Sequence, residues 1–247
     1  MVARLSYKQE ITMNKILSVV MLLTISTILY AQKDVTRFLG IPVDGSKSEM
    51  IQKLKAKGYR YNSTLDRLEG EFNGSQVHLS VVTNNNKVWR IAIVDAVLSN
   101  ETDIRIRFNA LCRQFKKNQR YIPVSSSSDY YLFEDENISY EMTVKNKRYE
   151  AIYNQIPTVT EPINKVLPDM LKQKLDNEEL LNLKKYILSK YTAELIADNT
   201  KWEQIIYESL EAIYKNSVWF MIDRQYGEYR IVMFYDNEHN RSNGEDL

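Results

Sequence analysis

Cysteine is almost missing from this chain: Cys112 is the single one in 247 residues. One thiol excludes an intramolecular disulfide, so the core alone must hold the fold. Histidine is nearly as scarce, with only His78 and His239. Zinc sites draw on several His or Cys at short spacing, which this chain cannot supply. Its seven glycines are scattered singly and leave no phosphate-cradling loop. With only five prolines beside them, a linker-rich or fibrous chain is excluded as well. Neither sign of charge dominates. The 33 Lys and Arg against 32 Asp and Glu give a formal net charge of +1, so nothing draws the whole chain toward nucleic acid or an acidic membrane.

What is present begins near the N-terminus. Met13-Asn14-Lys15 is a short basic start, followed by an uncharged run from Ile16 to Tyr30 rich in Ile, Leu, Val and Met. Ala31-Gln32 follows, and charge returns at Lys33 and Asp34. This is the n-region, h-region and small-residue cleavage site of a secretory signal. The run is shorter than the ~20 residues a membrane span needs. Residues 1–31 are therefore expected to be an upstream extension and signal peptide cut between Ala31 and Gln32. Loss of that segment removes Arg4, Lys8, Lys15 and Glu10 and leaves the remainder close to neutral. A lipid anchor at the cut would need a cysteine there, and Cys112 lies far downstream. The expectation is a secreted or periplasmic protein with no stable membrane anchor.

The remainder reads as α+β, with antiparallel sheets packed against helices. Ser46-Lys47-Ser48-Glu49 is a capping box opening a helix that Gly58 stops. Phe38 to Val43 before it is apolar and extended, with Pro42 at an edge. Three strands follow. Leu68–Phe72 and Gln76–Thr83 flank the hairpin signal Asn73-Gly74, and Asn84-Asn85-Asn86 turns into Lys87–Val94. Period-two alternation places Trp89, Ile91 and Ile93 on one face. A second helix starts near Asn100, its stripe formed by Ile104, Phe108, Leu111, Cys112 and Phe115. Three further strands are expected at Tyr130–Phe133, Ile138–Val144 and Arg148–Tyr153. A helix followed by three strands thus occurs twice, so residues 32–156 read as a tandem region. Pro157, Pro162 and Pro168 then open a helical region, 157–247. It is expected to hold helices along Leu180–Leu195 and Trp202–Ile213, and to close in a hairpin of Val218–Asp223 with Glu228–Tyr235.

Two segments carry a resemblance. Phe38-Leu39-Gly40-Ile41-Pro42-Val43-Asp44-Gly45-Ser46-Lys47 resembles the opening of many uncharacterised exported proteins of Bacteroidetes bacteria, and Tyr235-Asp236-Asn237-Glu238 with Asn243-Gly244-Glu245-Asp246-Leu247 resembles their ending. The resemblance implies a cell-envelope or secreted setting and no particular activity. The repeated helix–three-strand order also resembles the tandem architecture of β-lactamase-inhibitor-like proteins, which implies protein binding by fold analogy.

Chemistry-bearing residues are few. His78 lies on a strand beside Ser80, away from any second ligand. Asp236, Glu238 and Asn240 alternate like calcium ligands, but Arg241 stands where such a loop needs Gly. Cys112 lies on an apolar stripe, where a thiol is inert. Ser125 to Ser128 lack a nucleophile-elbow context. Neither a metal site nor a cofactor motif is expected, and no catalytic residue is assigned. Glu69 with Glu71, and Glu134 with Glu136, are the two carboxylate pairs a glycosidase would require. The 17 tyrosines are the strongest lead. Tyr130, Tyr131, Tyr140, Tyr149 and Tyr153 crowd the second sheet unit, where aromatic rings on a sheet could meet sugars or a partner protein. The expected function is a non-enzymatic module binding a protein or a glycan. The alternatives are a glycan-directed hydrolase using paired carboxylates and a structural component of the cell envelope.

Overall fold

A computed structural model describes residues 35–124, 130–156, 187 and 202–241. Its strands are set by short turns. Strands β1 (Arg37–Phe38) and β2 (Ile41–Pro42) meet across Leu39-Gly40. After helix α1 (Lys47–Ala56) come β3 (Arg60–Asn62), β4 (Arg67–Phe72), β5 (Ser75–Asn84) and β6 (Lys87–Asp95). Asn73-Gly74 joins β4 to β5, and Asn85-Asn86 joins β5 to β6. Both residues of each of these turns lie at positive φ, for example 49° at Asn73 and 73° at Gly74. That is the two-residue geometry whose twist matches the flanking strands, and Asn and Gly tolerate it best.

Helix α2 (Glu101–Lys117), β7 (Tyr121–Pro123), a six-residue helix α3 (Ile138–Thr143) and β8 (Glu150–Gln155) follow. The chain ends in α4 (Trp202–Lys215), β9 (Ser217–Gln225) and β10 (Glu228–Asp236), the last two joined by Tyr226-Gly227. Strands β3 to β10 form one antiparallel sheet in the order β3-β4-β5-β6-β10-β9-β8-β7. The α+β reading therefore holds, with helices packed on an antiparallel sheet. The helix expected along Leu180–Leu195 lies outside the described residues, apart from the buried, helical Ile187.

The repeat has a different second copy from the one the sequence pattern predicts. Within the expected strand Ile138–Val144, residues Ile138–Thr143 are the helix α3. Asn137 accepts a hydrogen bond from the Tyr140 amide at 2.8 Å, and Glu101 of α2 accepts from the Ile138 amide at 2.8 Å. Capping from a distant carboxylate overrides the alternation of Ile138, Tyr140 and Met142. Tyr130–Phe133 is likewise outside the sheet. The Asn109 side chain, on α2, donates to the Leu132 carbonyl and accepts from its amide, both at 2.9 Å, in the place of a neighbouring strand. The strands that do pair give a simpler symmetry. Helix α1 precedes β3-β4-β5-β6, helix α2 precedes β7-β8-β9-β10, and the two quartets run outward in mirrored order from the β6–β10 pair.

One face of the sheet is the core. Capping at Ser46 works as the sequence predicts: its hydroxyl accepts from the Glu49 amide, and Glu49 reaches back to the Ser46 amide. Helix α1 then buries Met50, Ile51 and Leu54. Helix α2, capped by Asn100, buries Ile104, Phe108, Leu111, Cys112 and Phe115. These meet Leu79, Ile91, Phe220, Ile231, Met233 and Tyr153 from the strands in one continuous cluster. Phe108 and Phe220 cross edge to face at 5.0 Å, and Phe115 stacks on Tyr153 at 4.6 Å. Each fully buried ring of this kind contributes about 1.5–3 kcal/mol. No helix among the described residues is long and apolar enough to cross a membrane.

The opposite face departs from plain alternation. The register of β5 against β6 shifts between Val82 and Thr83, where Val82 pairs Arg90 and Thr83 pairs Val88. This bulge gives β6 an extra residue. Trp89 is thereby separated from Ile91 and Ile93, and its ring lies 4.3 Å from the Arg90 guanidinium on the non-core side. The C-terminal segment is also firmer than a loose polar tail. Asp236 and Asn237 are buried, Asn237 donates to the Val43 carbonyl at 2.8 Å, and Asn240 donates to Asp44 at 2.7 Å.

Candidate functional site

The tyrosine-rich region forms a cavity of about 400 Å³ at the start of β8. Its walls include Tyr130, Tyr131, Phe133 and Tyr149, with Glu136 and Lys147 among the polar groups. Tyr149 is buried and donates to Glu136 at 2.7 Å, and Lys147 pairs with the same carboxylate. Burial and the Glu136 charge push the Tyr149 phenol well above its usual range. Tyr130 anchors its hydroxyl on the Ile152 carbonyl at 2.8 Å. Phe133 is 69% exposed and stands open as an apolar platform. Tyr131 is half-buried. Of the other predicted tyrosines, Tyr153 is in the core and Tyr140 projects from α3 at 49% exposure. The five tyrosines are thus not one sheet face, and three of them line one concavity.

A second, smaller cavity of about 250 Å³ adjoins it, and Arg148 and Glu150 line both. Sequence alternation alone does not reveal this one. Trp219 of β9 and Phe234 of β10 are register partners whose rings lie 4.3 Å apart. Arg90 from β6 is packed over Phe234 at 4.4 Å and also faces Trp219. Its guanidinium binds Asp236 in a two-pronged pair at 2.6 and 2.7 Å, and Trp219 Nε1 donates to the same carboxylate at 3.0 Å. The Asp236 side chain is only 2% exposed. Aromatic faces and planar charged groups are thus packed and hydrogen-bonded into one cluster. The signal that could have located it is the pairing of Trp219 with Phe234, which follows from the Tyr226-Gly227 turn once its two-residue length is fixed.

In each proposed acid pair one member is held by cations and the other is exposed. Glu69 is bound by Arg60 at 2.9 Å and by Arg67 at 3.1 Å, which holds its carboxyl below the usual range. Glu71 is exposed on the same strand. Glu136 is also held low by Lys147 and Tyr149, against the opposing effect of its burial, while Glu134 is exposed. A general acid needs a carboxyl held protonated, and both partly covered members of these pairs are pushed the other way.

The remaining residues have structural places. Cys112 is buried, and desolvation pushes its thiol up to about 12. His78 lies on the non-core side of β5. Its Nδ1 is buried without a partner, and burial together with Arg67 lowers its pKa. His239 accepts no metal partner set, since no cluster of three or more His, Cys, Asp or Glu exists among the described residues. Asp236, Glu238 and Asn240 are taken by Arg90, Arg241 and Asp44. Ser125–Ser128 lie outside the described residues. Searches of family models, curated proteins and solved structures give no match to this chain.

Proposed function

We propose that the protein is an exported, non-enzymatic glycan-binding module whose site is the pair of adjoining cavities joined at Arg148 and Glu150. The carrying observation is that Tyr131, Phe133 and Asp135 line one cavity and Trp219 the other, with Arg148 and Glu150 lining both. Aromatic faces stack on the apolar side of sugar rings, and planar charged groups take paired hydroxyls. A cavity of about 400 Å³ with an annex of about 250 Å³ is in the size range of small-ligand sites. Protein interfaces are broader, near 800 Å² on each partner. The near-neutral charge fits a ligand recognised by stacking and hydrogen bonding. Export rests on the Met13–Ala31 signal and on the resemblance of both chain ends to exported Bacteroidetes proteins.

The test is affinity electrophoresis of the purified protein through gels holding xylan, mannan, β-glucan, pullulan or pectin. Retardation by at least one is expected, with loss of ~10-fold or more in affinity for Phe133→Ala, Tyr131→Ala and Trp219→Ala. Free migration through the whole panel sinks the glycan reading. Sequencing of the N-terminus of protein recovered from culture checks export: it should begin at Gln32.

A further inference from the structure

A third cavity has a charge character unlike the first two. It measures about 350 Å³ and lies where the Leu39-Gly40 turn, the Asn73-Gly74 turn and the end of α2 converge. Its floor is aromatic, with Phe72, Phe115, Tyr121 and Tyr235 among the lining residues. Its charged groups are Arg37 and Arg120, and no Asp or Glu lines it among the described residues.

That imbalance is unusual within this protein. Arg60, Arg67, Arg90, Arg105, Arg107, Arg148, Arg230 and Arg241 each sit against a carboxylate. Arg113 and Arg224 have no such partner among the described residues but are exposed, where water serves them. Arg37 and Arg120 are the half-buried exceptions, and both face this cavity. Arg37 spends one N–H on the Gly40 carbonyl at 3.2 Å. Arg120 leaves its Nε buried with no acceptor. That Nε is closed off from solvent, so an anion in the cavity would be met by the other N–H groups of the two guanidinium groups, for which no carboxylate partner is present among the described residues. The carbonyl end of α2 opposes an anion weakly, and Lys116 and Lys117 in its last turn offset that. Gln114 and Asn118 add amide donors at the rim.

We infer that this cavity binds a small organic anion whose carboxylate is carried on a flat, largely apolar ring. Two planar guanidinium groups suit the in-plane oxygens of a carboxylate, and the aromatic floor suits a ring-sized body. The site is separate from the proposed glycan surface and shares no lining residue with it.

Isothermal titration of the purified protein with benzoate, phenylacetate and indole-3-acetate tests this, beside benzamide, inorganic phosphate and sulfate. Saturable binding of at least one aryl carboxylate is expected, at least ~10-fold tighter than benzamide or the inorganic ions. Arg120→Gln and Arg37→Gln should each weaken it ~10-fold or more, while Arg224→Gln leaves it unchanged. In the unliganded protein Arg120→Met should keep or raise the melting temperature, since it removes an unserved cation. Polysaccharide retardation should be unaffected by these variants, so failure here is separable from failure of the glycan reading. No saturable aryl-carboxylate binding, equal binding by the Arg120 variant, or equal affinity for phosphate would overturn the assignment.

Discussion

Asp236 and Arg90 tie the two halves of the sheet together, and breaking that pair is the sharpest test of the architecture. The residues are cross-strand partners on β10 and β6, at the junction of the two strand quartets. The pair is two-pronged, with side-chain exposures of 20% for Arg90 and 2% for Asp236. Asp236→Ala strands a guanidinium between the Trp89 and Phe234 rings and leaves Trp219 Nε1 without its acceptor. Removing one member of a buried pair costs about 3–5 kcal/mol. For a chain of this size that is roughly a 6–20 °C fall in melting temperature. Arg90→Met exposes the carboxylate to the same penalty, softened by the surviving Trp219 bond. The double variant Arg90→Met/Asp236→Leu removes both charges and should lie within about 1 kcal/mol of the parent. Urea unfolding monitored by circular dichroism, at unchanged slope, gives all four corners of the cycle. The reasoning fails if either single variant loses less than about 1 kcal/mol, or if the double loses the sum of the singles.

Other perturbations address separate features. A Cβ on Gly70 would lie 2.6 Å from Tyr59 Cδ1, so Gly70→Ala should lose about 1–3 kcal/mol in a denaturant titration; a neutral result would mean the ring moves freely. Tyr226 is 94% exposed and held at a φ of 53°, so Tyr226→Asn should gain about 1 kcal/mol, and a loss would reveal an unseen role for the ring. Cys112 should resist a thiol reagent at pH 8 and react at once in denaturing urea. Burial pushes its folded pKa up to about 12, above the usual thiol value of 9.0. The stability this contributes is therefore complete below pH 9 and lost as pH rises through about 12. Cys112→Ala should flatten that part of the alkaline limb. His78 runs the other way. Its folded pKa lies below 6.5, pushed down by burial and by Arg67 and Arg230 against Glu69. Its contribution is whole above pH 6.5 and lost as pH falls through the folded value, and His78→Gln should reduce the slope of stability against pH there.

Local signals were legible wherever a single segment settles its own geometry. Ser46 and Glu49 cap α1 without help, Asn73-Gly74 dictates a two-residue hairpin, and the stripe from Ile104 to Phe115 points one way on α2. Reading failed where distant groups decide. Ile138–Thr143 alternates like a strand, but Glu101, 37 residues away, caps it as a helix. Leu132 looks like sheet, but Asn109 satisfies its backbone. Trp89 alternates with Ile91 until the bulge is known. The site shows the same division. Three of the five tyrosines do share a cavity, as their crowding suggests. The Arg90–Asp236 pair spans 146 residues and has no local signature at all.

The connection between β8 and β9 leaves and rejoins the sheet at adjacent strands, and the Gln155 amide donates to the Asn216 carbonyl at 2.8 Å across its base. Added length in that excursion is cheap, since doubling it would cost only about 0.6 kcal/mol of closure entropy. Removal is a different matter, because Ile187, Ser209 and Ile213 within it are buried. The root between β8 and β9 therefore tolerates insertion while the buried residues of the excursion stay part of the frame.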